Sequence, residues 1–124
     1  MKKEDKKLLL KDLCARLPYN CRVFYEYVDD LDGKTYGYSL TLNTWCIDEF
    51  VANKAVIKPY LRPMSSMTEK EKKELGRISC EGNIEHKYGI FYRSQDYLNS
   101  IHVDYRGLIE KGLALEASEG MYNN

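Results

Sequence analysis

Lys58-Pro59-Tyr60-Leu61-Arg62-Pro63-Met64-Ser65-Ser66-Met67-Thr68-Glu69-Lys70-Glu71 is the stretch on which the fold turns. Proline has no N–H to give to a β-ladder, so Pro59 is expected at a sheet edge or where strand pairing stops. Pro63 disfavours helix at Arg62. Ser66 with Glu69, and Thr68 with Glu71, both fit the S/T-x-x-E capping pattern, in which hydroxyl and carboxylate satisfy each other's orphan backbone N–H groups. A helix is therefore expected from about 67 to 75, with Gly76 as its stop. Glu69, Lys70, Glu71, Lys72, Lys73 and Glu74 place it on the surface. The segment reads as a joint, with strands before it and helices after it.

Before the joint, residues 4–17 carry Leu9, Leu10, Leu13, Cys14 and Leu17 at helical spacing, the pattern of an amphipathic helix. Lys6, Lys7, Lys11 and Asp12 are assigned to its polar side, and Pro18-Tyr19-Asn20 to the turn that ends it. Residues 21–28 alternate, with Cys21, Val23, Tyr25 and Tyr27 on one face. Residues 35–42 alternate likewise, with Tyr36, Tyr38, Leu40 and Leu42 together. The polar loop between them contains Gly33, so the two runs read as an antiparallel hairpin. Asn43-Thr44 reads as a tight turn, Trp45, Ile47 and Phe50 as a third strand, and Ala55 to Leu61 as a fourth.

After the joint, Ile84 to Tyr92 reads as a strand with Tyr88, Ile90 and Tyr92 on one face. Ser94 or Gln95 opens a helix that runs to about His102. Gly107 and Gly112 interrupt regular structure, and Leu113 to Ala117 is a last apolar stretch. The expectation is one α+β domain over residues 1–124, with 1–3 and 118–124 frayed. It has an N-terminal helix, an antiparallel sheet or small, partly open barrel of three to five strands, and two short C-terminal helices.

Composition narrows the function. Lys+Arg and Asp+Glu number 19 each, so the formal net charge is zero. A dedicated duplex-DNA binder usually carries a basic excess. No run approaches the ~20 apolar residues of a membrane span. Lys11 and Asp12 cut short Leu8-Leu9-Leu10, so no secretory signal is read and a cytoplasmic location is expected. Cys14, Cys21, Cys46 and Cys80 contain no C-x-x-C pair and read as reduced, buried thiols.

No phosphate-cradling glycine motif and no G-x-S-x-G occurs. His102, Asp104, Tyr105 and Arg106 form the most catalytic-looking cluster, with His102 as a base and Arg106 as an anion binder. The alternative is a helix end with His102 at the C-terminal dipole and Arg106 tied to Asp104 or a carbonyl. Cys80 and His86 provide two of the four ligands a structural zinc needs, so no metal site is assigned. Asp29, Asp30 and Asp32 before Gly33 fit a calcium loop only in part and read as a hairpin turn. No cofactor and no catalytic residue is assigned.

Tyrosine is the outlier, at 11 residues. Tyr25, Tyr27, Tyr36 and Tyr38 fall on neighbouring strands. They would pack a core, meet a protein partner, or stack nucleotide bases with help from Arg22 and Lys34. Tyr60 and Arg62 are left over once the joint explains the prolines and serines. Binding candidates are thus Tyr25, Tyr27, Tyr36, Tyr38, Tyr60, Arg62, His102 and Arg106.

The Lys58–Thr68 string resembles a segment of short proteins from gut Bacteroides-type bacteria and their phages. So do Asp96-Tyr97-Leu98-Asn99, Asp104-Tyr105-Arg106-Gly107-Leu108-Ile109 and Gly112-Leu113-Ala114-Leu115-Glu116-Ala117. In that group the first of these often reads Asp-Trp-Leu-Asn; here Tyr97 stands for the tryptophan. The resemblance spans about residues 56–122 and carries no activity with it. It implies an accessory protein of phage or mobile-element origin. Together with the tyrosines it leads to an expectation of a non-enzymatic protein that binds a protein partner. A protein that sequesters a nucleotide or short nucleic acid, as in counter-defence, is the alternative, and a small enzyme using His102 and Asp104 a third.

Overall fold

The computed structural model describes residues 1–82 and 87–122. Helix α1 (Lys3–Arg16) has Glu4 and Asp5 in its first turn and Arg16 in its last, each sign matched to the helix dipole. Pro18 diverts the chain into a short 3₁₀ turn, and Asn20 closes it with a left-handed φ of 56°. Strands β1 (Arg22–Val28) and β2 (Thr35–Thr41) follow, then helix α2 (Thr44–Val51) and strand β3 (Val56–Leu61). Helices α3 (Glu69–Gly82) and α4 (Lys87–Ser100) pack on each other, and strand β4 (Leu115–Glu116) completes the order.

The architecture is α+β; the described residues form four α-helices and an open, mixed sheet in the order β2-β1-β3-β4. The sheet does not close into a barrel. β1 pairs antiparallel with β2 and with β3, while β4 runs parallel to β3. The hairpin turn is held by its own aspartates. Asp29 accepts from Leu31 N–H at 2.7 Å and Asp32 from Lys34 N–H at 2.8 Å. Gly33 supplies the positive φ of 68°, which side-chain-bearing residues resist.

The register fixes which backbone groups face where. Asp29 N–H donates to Lys34 O at one end of the hairpin, and Leu42 N–H to Cys21 O at the other. Hydrogen-bonded pairs alternate along an antiparallel ladder. Even-numbered β2 residues therefore bond β1, and Thr35, Gly37, Ser39 and Thr41 turn their N–H and C=O outward. On β1, Arg22, Phe24 and Glu26 turn theirs toward β3. Pro59 lies opposite Val23, so its nitrogen points away from β1. β4 first pairs at Tyr60, and no ladder bond is lost.

One sheet face presents Val23, Tyr25, Ile57 and Leu61 to Leu9 and Leu13 of α1 and Cys46 and Phe50 of α2. Leu108, Leu113 and Ala114 close the same core. Met67, Leu98 and Val103 form a smaller cluster under α3 and α4. Fully burying an aliphatic or aromatic side chain contributes about 1.5–3 kcal/mol, so the larger cluster dominates stability.

Several expectations are corrected. Trp45, Ile47 and Phe50 belong to helix α2. Asn43 is its N-cap, accepting from Cys46 N–H at 3.0 Å, and Cys46 and Phe50 enter the core four residues apart. β3 is not an edge strand but lies between β1 and β4; its ladder with β1 ends at Pro59 as expected, and the strand runs on to Leu61 paired with β4. Gly76 does not stop α3, which continues to Gly82. Residues 87–92, read as strand, are the start of α4; 84–86 lie outside the described residues. Cys14 is exposed, whereas Asp12, assigned to the polar side of α1, is fully buried. Cys21 and Cys46 are buried as expected. Of the tail expected to fray from 118 to 124, the part up to Tyr122 is anchored by that residue's hydroxyl, and 123–124 lie outside the described residues.

Candidate functional site

The hairpin register puts tyrosine directly opposite tyrosine: Tyr25 faces Tyr38, and Tyr27 faces Tyr36. Their rings pack as a continuous array. Tyr25 lies 5.3 Å from Tyr38 and 5.7 Å from Tyr27, and Tyr27 lies 6.0 Å from Tyr36. Helix α2 adds Trp45, stacked on Tyr25 at 4.8 Å and 19°. Offset and tilted pairs at such distances contribute about 0.5–1.5 kcal/mol each beyond burial.

The array is graded from inside to outside. Tyr25 is buried and Tyr27 half-buried, while Tyr36, Tyr38 and Trp45 are 42%, 44% and 44% exposed. Acidic groups border it. The Tyr36 hydroxyl donates to Asp32, which raises the Tyr36 phenol and lowers the Asp32 carboxyl. Burial raises the Tyr25 phenol, with Glu49 adding to the effect.

On the opposite face, Phe24 lies over Gly37. A Cβ there would come 2.3 Å from the Phe24 ring, so glycine is what lets the ring cover the strand.

The remaining candidates lie elsewhere, and the polar groups of Tyr60, Arg62 and Arg106 are engaged in the fold. Tyr60 meets Ser39, hydroxyl to hydroxyl, at 3.0 Å. Arg62 grips Glu71 with both terminal nitrogens, at 2.7 and 2.8 Å. It also reaches the Ser66 and Ile101 carbonyls. Glu71 completes the Thr68 capping box, accepting Thr68 N–H at 2.8 Å while the Thr68 hydroxyl accepts Glu71 N–H at 3.1 Å. Arg62 therefore locks the joint to α3. Pairing with Arg62 pulls the Glu71 carboxyl down to about 2.

His102 and Asp104 form no dyad. The Asp104 oxygens accept from Leu108 and Ile109 N–H at 2.9 Å each. His102 sits past the end of α4 at φ 64°, stacked 3.7 Å from Tyr122. Its Nδ1 is buried without a partner among the described residues. Arg106 bonds Asp12 at 3.1 Å rather than Asp104 or a carbonyl.

Burial, reinforced by Arg16 and Arg62, pushes the His102 imidazole from its ordinary 6.5 down to about 4. The neutral ring is the form the fold accepts. Its contribution is complete above pH 6.5 and is lost as pH falls from there toward 4. His102→Asn keeps a side chain that tolerates left-handed φ and cannot titrate. Urea midpoints at pH 7, 5.5 and 4.5 are expected to fall less in this variant than in the wild type; parallel slopes would refute the assignment.

Two features escaped the sequence reading. Asp12 and Arg16 are both 0% exposed and bonded at 2.8 Å. Arg16 also donates to the Val103 carbonyl at 2.9 Å. Their only sequence signal is the i, i+4 spacing of opposite charges on a helix. The second is Tyr122. β1 and β3 stop pairing at Val23 and Pro59, and the next rung would join Arg22 to Tyr60. There the Tyr122 hydroxyl intervenes: Arg22 N–H donates to it at 2.9 Å, and it donates to the Tyr60 carbonyl at 2.7 Å.

A cleft of about 790 Å³ adjoins the inner end of the aromatic array, lined by Tyr25, Tyr27, Phe50, Lys6 and Lys54 among others. Lys6 is engaged with Asn53 and the Val51 carbonyl. Among the described residues no group of three or more His, Cys, Asp or Glu is placed to hold a metal. No helix among them is long and apolar enough to cross a membrane. His86 lies outside the described residues. The fold and this array define an α+β protein with an exposed aromatic face. Comparison with protein-family models, curated proteins and solved structures finds no match for the chain.

Proposed function

We propose that this protein acts by binding, and that Tyr27, Tyr36, Tyr38 and Trp45 are its contact surface for a protein partner. The observation that carries the reading is the exposure of three large aromatic side chains in one array whose inner members are rooted in the core. Tyrosine and tryptophan are enriched in protein interfaces, and rings already held in place lose little entropy on binding. Asp32 and Glu49 at the border favour a protein over a phosphate backbone. The resemblance to proteins of Bacteroides-type bacteria and their phages supplies the setting: a cytoplasmic accessory protein of a phage or mobile element.

The test is Tyr36→Ala/Tyr38→Ala/Trp45→Ala. The circular dichroism spectrum is expected to persist, because these side chains are exposed. A partner captured and crosslinked by the wild type is expected to lose at least tenfold in affinity, since hot-spot truncations cost about 2 kcal/mol or more. Equal capture by the variant would end the reading. The cleft beside the array, with Lys54 and two tyrosines in its wall, supports nucleotide capture as the second reading. Thermal-shift screening against nucleotides separates the two, and the absence of any shift counts against capture.

A further inference from the structure

Among the described residues, the outer edge of β2 is the one long strand edge that the fold leaves open. β2 is seven residues long and ends the sheet order, and among the described residues no strand pairs with its outer side. Thr35, Gly37, Ser39 and Thr41 aim their N–H and C=O groups outward there, as the hairpin register dictates. Proteins normally protect such an edge with a lysine or other charge, a proline, or a bulge. Thr35-Tyr36-Gly37-Tyr38-Ser39-Leu40-Thr41 contains no charge and no proline, and its seven residues pair with β1 one to one without a bulge.

The geometry points to a second copy of this chain as the occupant, through antiparallel β2–β2 pairing about a two-fold axis at Tyr38. Outward-facing residues must meet outward-facing residues. The register that uses all four places Thr35 opposite Thr41 of the other copy, and Gly37 opposite Ser39. It forms about eight backbone hydrogen bonds and leaves no outward group unpaired. Tyr38 then meets Tyr38 across the axis, and Tyr36 meets Leu40, so the aromatic array runs unbroken through both subunits.

An isologous contact of this kind closes on itself and does not propagate into a fibre. With zero formal net charge the two copies have no long-range repulsion to overcome. The inference is independent of the partner-binding reading, because it rests on backbone groups at the strand edge and not on the exposed ring faces.

Equilibrium sedimentation of the whole protein is expected to give twice the 14.5 kDa chain mass. Ser39→Pro removes one outward N–H without touching a β1–β2 bond and is expected to shift the mass to monomer. Thr35→Glu/Thr41→Glu places like charges opposite each other at both ends of the pairing and is expected to raise the dimer Kd about tenfold or more. Thr35→Lys/Thr41→Glu makes the same contacts attractive, keeps Glu beside Arg22 as in the Glu/Glu variant, and is expected to restore the dimer. Within one chain the two positions lie about 20 Å apart, so the difference between these variants reads the contact between copies even if Ser39→Pro fails to fold. A wild type that stays monomeric at every attainable concentration overturns the proposal. So does a dimer equally tolerant of Glu/Glu and Lys/Glu.

Discussion

Asp12→Ala is expected to lower stability by about 3–5 kcal/mol, the cost of leaving a buried charge without its counter-ion. Asp12 holds two arginines: one oxygen accepts from Arg16 at 2.8 Å and the other from Arg106 at 3.1 Å. Asp12 and Arg16 are fully buried, and Arg106 is nearly so. Arg16 passes the link on to the Val103 carbonyl, joining α1 to the segment after α4. Tyr105 supports both cations, with Arg16 5.5 Å and Arg106 4.8 Å from its ring centre. Without Asp12, two positive groups would face each other, with Arg16 fully cut off from water. Urea denaturation followed by circular dichroism measures the loss. Asp12→Ala/Arg16→Met is expected to recover part of it, because the fully buried cation goes too. A loss below about 1 kcal/mol in the single variant would show that the network contributes little beyond packing.

Tyr122→Phe is the next largest effect, expected at about 1–3 kcal/mol. The substitution keeps the ring stacked on His102 but removes the hydroxyl that bridges Arg22 N–H and Tyr60 C=O. Both backbone groups then lose their partner, and an unpaired polar group costs more than a hydrogen bond contributes net. Amide exchange at Arg22 is expected to accelerate, while exchange in the β1–β2 hairpin stays slow. Tyr122→Ala is expected to cost more, since it also uncovers His102. An unchanged Arg22 exchange rate in Tyr122→Phe would mean that water replaces the hydroxyl without penalty.

The fold was legible wherever a local rule governed the chain. The period-two tyrosines gave the hairpin, Pro18 ended the first helix, and Thr68 with Glu71 started α3 as the capping pattern required. It was illegible where two periods fit the same few residues. Trp45, Ile47 and Phe50 satisfy alternation loosely, and only the Asn43 cap distinguishes a helix from a strand. Long-range contacts left the least trace. Nothing near Asp12 announces that Arg106, 94 positions away, will reach it.

The candidate site divides along the same line. The tyrosine face follows from strand alternation and cross-strand pairing, both local. Trp45 joins it only because α2 is a helix, which is why the strand reading missed it. Arg62, His102 and Arg106 looked chemical because their types are chemical. Their geometry depends on partners at Glu71, Tyr122 and Asp12, which spacing does not reveal.

The Tyr122 rung has a consequence for synthesis. The β1–β2 hairpin needs only residues 22–41, all of which emerge early. The rung between β1 and β3 waits for a residue 100 positions beyond Arg22, and β4 reaches β3 almost as late. Chains fold from the N-terminus at about 5–20 residues per second of translation. The nascent protein therefore spends seconds with both hairpin strands synthesised and the far end of its sheet incomplete. A chaperone, or the hairpin of a neighbouring nascent chain on the same messenger, has that interval in which to meet it.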